Sequence, residues 1–423
     1  MICTGKQQKK RNEMAMNNSE NNNGRIMSLG TFLALYIAQF VPSSFMMTAL
    51  QVTMREGKYS LAVIGLLNLV RLPWLVKFLW SPLVDRHCLT VGDYKKTIIS
   101  CEAVYALALL FTGFFDVKSD LLLILILFFI SMLASSTQDI ATDALAILSF
   151  RKQDRSLLNS MQSMGSFGGT LIGSGLLLMV LHSYGWHVVV PCLALFVLLM
   201  LIPLLLNRHI TIEAKKPENK AKLADFIWFF SQRSVWPQIG FLMLYYMGII
   251  GIISTLRPYL VDHGYSMKEI GFLIGIVGTA SSFVCAWFSG VLLRRIGLHR
   301  ARVLFAVCIL SAPCYFLLLS FFPFSKVAFL IGIIYVQACY GLATVVVYTS
   351  SMQCVRPGRE GTDFTVQVVI SHLSGMFIAV ASGSIGQWFG YEGIYVVEIA
   401  VSAISLIYIL HFFKAKKDTI SDL

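Results

Sequence analysis

Apolar residues fill this chain in long blocks, and short polar or basic stretches separate the blocks at nearly regular intervals. The runs Leu121 to Ile130 and Leu193 to Leu206 sit inside stretches that reach the roughly 20 residues a helix needs to cross about 30 Å of hydrocarbon. Twelve such spans are legible, at about residues 29–49, 60–83, 97–115, 120–148, 158–181, 186–206, 238–260, 270–293, 301–322, 327–350, 363–384 and 393–413. Polar residues interrupt the fourth and fifth. In lipid, a helix satisfies its backbone N–H and C=O groups within one segment, so the pattern predicts an all-α integral membrane protein with twelve transmembrane helices. Residues 1–28 are polar and Asn-rich with no apolar stretch, which predicts a disordered tail and no cleavable signal.

Composition agrees: 57% of residues are hydrophobic and 13% charged, against about 25% charged in soluble domains. The formal charge of +12 changes meaning once it is sorted by loop. Lys9, Lys10, Arg11, Arg86, Lys95, Lys96, Arg151, Lys152 and Arg155 fall on one side of the expected bilayer. So do Arg208, Lys215, Lys216, Lys220, Lys222, Arg233, Arg294, Arg295, Arg300, Arg302, Arg356, Arg359, Lys414, Lys416 and Lys417. The other side receives Arg55, Lys58, Lys118, Lys268 and Lys326. By the positive-inside rule both termini are expected in the cytoplasm, and the basic balance reports topology instead of a nucleic-acid partner. The nine cysteines form no C-x-x-C pair and read as small buried hydrophobes in a reducing setting.

The long polar stretch at 207–237 divides six spans from six. The expected organisation is a tail (1–28), a six-helix bundle (29–206), a cytoplasmic linker (207–237), a second six-helix bundle (238–413) and a tail (414–423). Two matches relate the halves as internal repeats do. Ser81-Pro-Leu-Val-Asp85-Arg86 closes the second span, and Gly290-Val-Leu-Leu-Arg294-Arg295 closes the eighth. Asn159 and Gln162 open the fifth span, and Asp363 and Gln367 open the eleventh.

The Asp85-Arg86 element, with its basic counterpart Arg294-Arg295, resembles the loop signature of the major facilitator superfamily, although Ser81-Pro82 stands where Gly is common and the later Gly-Arg pair is missing. An Asp just past a helix end pairs either with basic residues or with the positive N-terminus of a neighbouring helix. Such a contact can latch a gate in one state and break in the other, which makes Asp85, Arg86, Arg294 and Arg295 gate candidates. Lys77-Phe-Leu-Trp80-Ser-Pro-Leu-Val-Asp85-Arg86, Thr137-Gln138-Asp139-Ile-Ala-Thr-Asp143-Ala and Phe364-Thr-Val-Gln367 narrow the resemblance to AmpG-type permeases, over about residues 29–413. That resemblance implies a major facilitator fold with two pseudo-symmetric halves, and a proton-driven importer of the bacterial inner membrane. Anhydro-muropeptides are the implied cargo. Arg71-Leu-Pro-Trp74 and Leu256-Arg-Pro-Tyr-Leu-Val-Asp262 look more like the RhtX/FptX branch, which implies a ferric siderophore instead.

Ionisable residues inside the hydrocarbon cost about 2.5 to 3.5 kcal/mol on insertion scales, so they are usually functional or paired. Asp139 and Asp143, four residues apart, share one helical face. Arg71, in the second span, can reach Asp139 to form either a titrating proton-coupling site or a permanent ion pair. Lys77 either snorkels or pairs with Asp143 or Glu102. Arg257 is an interfacial anchor, a partner of Asp262 or an anion site, and Glu398 has no assigned role. His372 is a further proton-carrier candidate, or a hydrogen-bonded packing residue. Polar side chains at helical spacing, among them Gln39, Gln138, Gln162, Tyr245, Tyr340, Tyr348 and Gln367, suit a cavity for a sugar-, peptide- or siderophore-like cargo, or glue between helices. The chain has no G-x-x-x-x-G-K-[ST] phosphate loop, no H-E-x-x-H and no G-x-S-x-G. A cofactor-free, metal-free monomeric transporter in contact with lipid, cargo and protons is therefore expected, with a membrane sensor or a membrane enzyme as the alternatives.

Overall fold

The computed structural model describes the backbone of residues 3–212 and 221–413, and the side chains of those residues apart from 3–22, 61 and 62. Among the described residues all regular structure is helical. The helices are α1 (Cys3–Glu56), α2 (Val63–Leu79 and Ser81–His87, bent by 53°), α3 (Val91–Thr112), α4 (Leu121–Ser149), α5 (Arg155–Tyr184) and α6 (Trp186–Leu206). After a short helix, Asp225–Phe229, come α7 (Arg233–Asp262), α8 (Met267–Ile296), α9 (Leu298–Ser320), α10 (Lys326–Gln353) and α11 (Glu360–Phe412). Nine helices are long and apolar enough to cross a bilayer, or ten with the bent pair, among the described residues. Helix α3 is also long, at 22 residues, but carries Asp93, Lys95, Lys96 and Glu102. The helix assignment opens at Cys3, ahead of the expected first span, and the tail expected at 414–423 lies outside the described residues.

Local chemistry sets the helix ends. Thr90 and Asp93 form a reciprocal capping box at the start of α3, and Ser266 and Glu269 form another at the start of α8. Each N-cap is worth about 1 kcal/mol because it satisfies backbone N–H groups that have no partner in the helix. Between α5 and α6 the chain turns at Gly185, with φ 74°. Inside α11 it turns at Gly390, with φ 70° and ψ −173°, so α11 is two helices in tandem. Both turns need the left-handed region that only glycine enters without a steric penalty.

One hydrophobic core draws on residues of α1 to α6, including Phe45, Leu109, Phe128 and Val190. A second draws on α7 to α11, including Tyr245, Ile309, Phe316 and Val346. A third joins the two sets, with Phe32, Tyr94, Ile140 and Leu158 against Met352, Phe364 and Val368. This junction lies at the end of the bundle where Arg86, Arg155, Arg294 and Arg356 gather, here termed the basic end. The short helix lies across it: Phe226 meets Phe78 of α2 with ring centroids 5.6 Å apart, and Phe229 packs with Val366 of α11. Large apolar side chains on the flank, such as Leu122 and Val380, are more than two-thirds exposed at 73% and 75%. Such a surface matches acyl chains and would aggregate in water.

Candidate functional site

Helix α4 carries a dense buried polar face, and four other helices supply partners to it. Asp139 pairs with Lys77 of α2, and the two side chains are only 4% and 2% exposed. The Lys77 Nζ also lies 4.7 Å from the centroid of the Trp74 ring. Asp143, one turn along α4, accepts hydrogen bonds from the Tyr36 hydroxyl of α1 at 2.7 Å and from Gln162 Nε2 of α5 at 3.1 Å. Tyr348 of α10 lies within electrostatic reach of both carboxylates, as His372 of α11 does of Lys77 and Arg71. Arg71 and His372 have exposed side-chain surface, whereas the ion pair is buried.

The expected meeting of Arg71 with Asp139 is thus replaced by Lys77 with Asp139. Two 3-10 turns, Leu67–Arg71 and Lys77–Leu79, interrupt the α-helical register of α2 around these two residues. A 3-10 turn has 3.0 residues instead of 3.6, which rotates the downstream side chains away from their α-helical positions.

A second polar chain runs behind the ion pair. Gln39 of α1 donates to Gln138, and Gln138 Nε2 donates to Glu102 Oε1 at 3.0 Å. Glu102, on α3, is 1% exposed, and its Oε2 has no hydrogen-bond partner. From sequence this residue stands out only as a charge in an otherwise apolar span, and as one of two partners considered for Lys77.

The remaining cavity candidates divide. Tyr340 and Tyr348 are half-buried, and Tyr340 sits between Phe167 of α5 and Tyr246 of α7, at centroid distances of 5.6 and 5.7 Å. Tyr245 is fully buried in the core of α7 to α11, where its hydroxyl donates to the Arg302 carbonyl at 3.1 Å. Gln367 is also fully buried, and its Nε2 donates to the carbonyls of Ser351, Cys354 and Asp363, each at 3.1 Å. It ties the end of α10 to the start of α11. Asp262, considered as a partner of Arg257, instead accepts from the Tyr391 hydroxyl.

Polar contacts close the basic end. Asp85 of α2 accepts from the Gly361 N–H at 3.2 Å, the Thr362 N–H at 2.7 Å and the Thr362 hydroxyl at 2.7 Å. A carboxylate at a helix N-terminus satisfies free N–H groups and meets the positive end of the helix dipole. Asp154 pairs with Arg294 of α8 at 3.1 Å, and Ser160 of α5 donates to the Ala286 carbonyl of α8 at 2.9 Å. Arg155 donates to the Met352 carbonyl of α10. On the far side of the joint Arg356 grips Asp363 at 2.6 Å, and Arg359 meets Asp225 of the short helix at 3.0 Å. Arg86 and Arg295 are exposed. Extensive packing of α11 on α2 is confined to residues 72–87 of α2.

Residues 26–379 match the family model described as Major Facilitator Superfamily. The chain is 23% identical over 383 residues to the anhydromuropeptide permease of Escherichia coli (strain K12), which covers 89% of this chain and 78% of that one. It is 24% identical over 352 residues to the putative transporter AmpG 3 of Rickettsia prowazekii, covering 78% and 82%. With the putative transporter AmpG 4 of Rickettsia conorii it shares 23% identity over 397 residues, covering 90% and 95%.

Proposed function

The chain belongs to the Major Facilitator Superfamily, and from that premise we propose that this AmpG-like permease is a proton-coupled importer of muropeptide-class cargo in the bacterial inner membrane. As a multi-pass membrane transporter it falls outside the enzyme and sensor alternatives. We infer twelve spans in two six-helix halves: α1 to α6, then α7 to α10 and the two parts of α11. The separate cores of the two sets support this division. So do the matching glycine turns at 185 and 390. The basic end is the cytoplasmic one in this reading, with both termini beside it, because the loops there hold most of the Lys and Arg residues. The contacts from Asp85, Asp154 and Arg155 then form the inner gate of a monomer closed to the cytoplasm.

The observation that carries the coupling proposal is the buried Lys77–Asp139 pair with Asp143 one turn away. Two carboxylates and one ammonium sum to one negative charge, so a single proton makes the cluster neutral. A neutral cluster moves through a closing, dehydrating bundle far more readily than a charged one. Arg71 and His372, accessible beside it, suit the carboxylates of a peptide-bearing sugar, and Tyr340 and Tyr348 offer faces for stacking. Cargo and proton then load from outside, the contacts at Asp85 break, and both are released inward.

Uptake of labelled anhydro-muropeptide into right-side-out vesicles under an imposed inward pH gradient tests this reading, with a ferric siderophore as the second cargo arm. Gradient-driven accumulation that D139N abolishes while exchange survives is the expected result. Accumulation unchanged in D139N removes the carboxylate from coupling, and gradient-driven uptake of the siderophore alone overturns the cargo assignment.

A further inference from the structure

The end opposite the basic end is poor in cations, yet two of its lysines converge. Lys268 opens α8 and Lys326 opens α10, and both line a cavity of about 580 Å³ between those helices. This volume lies within the roughly 300–1,000 Å³ of small-molecule sites. Phe272, Leu273, Leu330 and Ile333 form an apolar wall that runs inward from the lysines. Neither lysine makes an ion pair among the described residues. The one carboxylate in the lining, Glu269, accepts the Ser266 N–H at 2.8 Å and the Ser266 hydroxyl at 2.7 Å, and so is engaged in capping α8. Lys326 lies over the Tyr265 ring, its Nζ 5.4 Å from the centroid. The mouth therefore keeps a net positive charge above an apolar slot.

We propose that this cavity is a binding site for an anionic phospholipid. The phosphate sits between Lys268 and Lys326, and one acyl chain follows the wall toward Ile333. Charge complementarity selects the headgroup, as it does where basic pockets between membrane helices hold anionic lipids. The bilayer supplies this ligand at high local concentration, and the apolar wall excludes a small hydrated anion as the preferred occupant. A lipid held here clasps α8 to α10 at the end of the bundle remote from the gate contacts.

The test uses the full chain purified in a neutral detergent, with native mass spectrometry and thermal unfolding as readouts. Phosphatidylglycerol should remain bound at least fivefold more than phosphatidylcholine and should raise the melting temperature. K268A/K326A should abolish the preference, and L330W, which fills the slot beneath intact lysines, should abolish it too. Both lysines lie on the surface, so the double variant should elute as the parent does and decides the matter even if L330W folds poorly. Equal retention of the two lipids, or a preference unchanged in K268A/K326A, overturns the site. A melting shift produced equally by glycerol phosphate would make this a soluble-anion site and overturn the lipid assignment.

Discussion

Lys77 and Asp139 stand 62 residues apart in the chain and meet as an ion pair from which solvent is excluded. Breaking such a pair from one side leaves an uncompensated charge, at about 3–5 kcal/mol. K77M and D139N should therefore each lower the unfolding temperature of the detergent-purified protein, and K77M/D139N should recover most of the loss. Accumulation should fail in K77M and in D139N, whose clusters carry two negative charges and none, respectively, in place of the single one that a proton neutralises. Additive destabilisation in the double variant would show that the pair contributes nothing.

At the closed end, Asp85 receives three hydrogen bonds from the first turn of α11. Hydrogen bonds to a charged group are worth about 1.5–3 kcal/mol, so D85A should shift the gate equilibrium by roughly ten- to a hundredfold. Cys354, half-buried at the foot of α10, reports it: labelling by an impermeant maleimide from the basic side should rise. An unchanged labelling rate argues against the latch.

Close approach of α5 and α8 depends on Gly290, since a Cβ there would lie 1.8 Å from Ser160 Oγ and 2.7 Å from the Ser156 carbonyl oxygen. Close helix contact in lipid rests on such small residues. G290V should hold the basic end open, raise Cys354 labelling and cut transport at least tenfold. G30A, with nothing within 4 Å of its new methyl, serves as the control and should match the parent. Equal behaviour of the two variants would show that the basic end closes without this contact.

Glu102 lies buried in the polar chain from Gln39 through Gln138. E102Q keeps an acceptor for Gln138 and replaces a buried carboxyl group that has no ion-pair partner among the described residues, so its melting temperature should equal or exceed that of the parent. E102L leaves the Gln138 amide without its acceptor, which costs about 1–3 kcal/mol. A fall in E102Q as large as in E102L would mean that the carboxyl group itself stabilises the bundle.

Hydropathy located most of the helices because the bilayer imposes a minimum apolar length that a sequence displays directly. It does not display rotation. The sequence places Arg71 against Asp139 and leaves Lys77 to snorkel or to meet Asp143 or Glu102, because a helical wheel assumes 3.6 residues per turn, whereas α2 is interrupted by the 3-10 turns Leu67–Arg71 and Lys77–Leu79. Tyr245 and Gln367 resemble Tyr340 in the sequence, but which face of a polar-bearing helix meets accessible space is decided by the neighbouring helices. The role of Asp85 was half legible. Its position past a helix end offered two partners, and only the fold shows that the N–H groups of Gly361 and Thr362 are among them.

The short helix at Asp225–Phe229 contacts α2 through Phe78, α11 through Val366 and the N-cap of α11 through Arg359. In the proposed cycle this short helix would act as a brake pad, because opening the basic end would require it to release at least one of these partners.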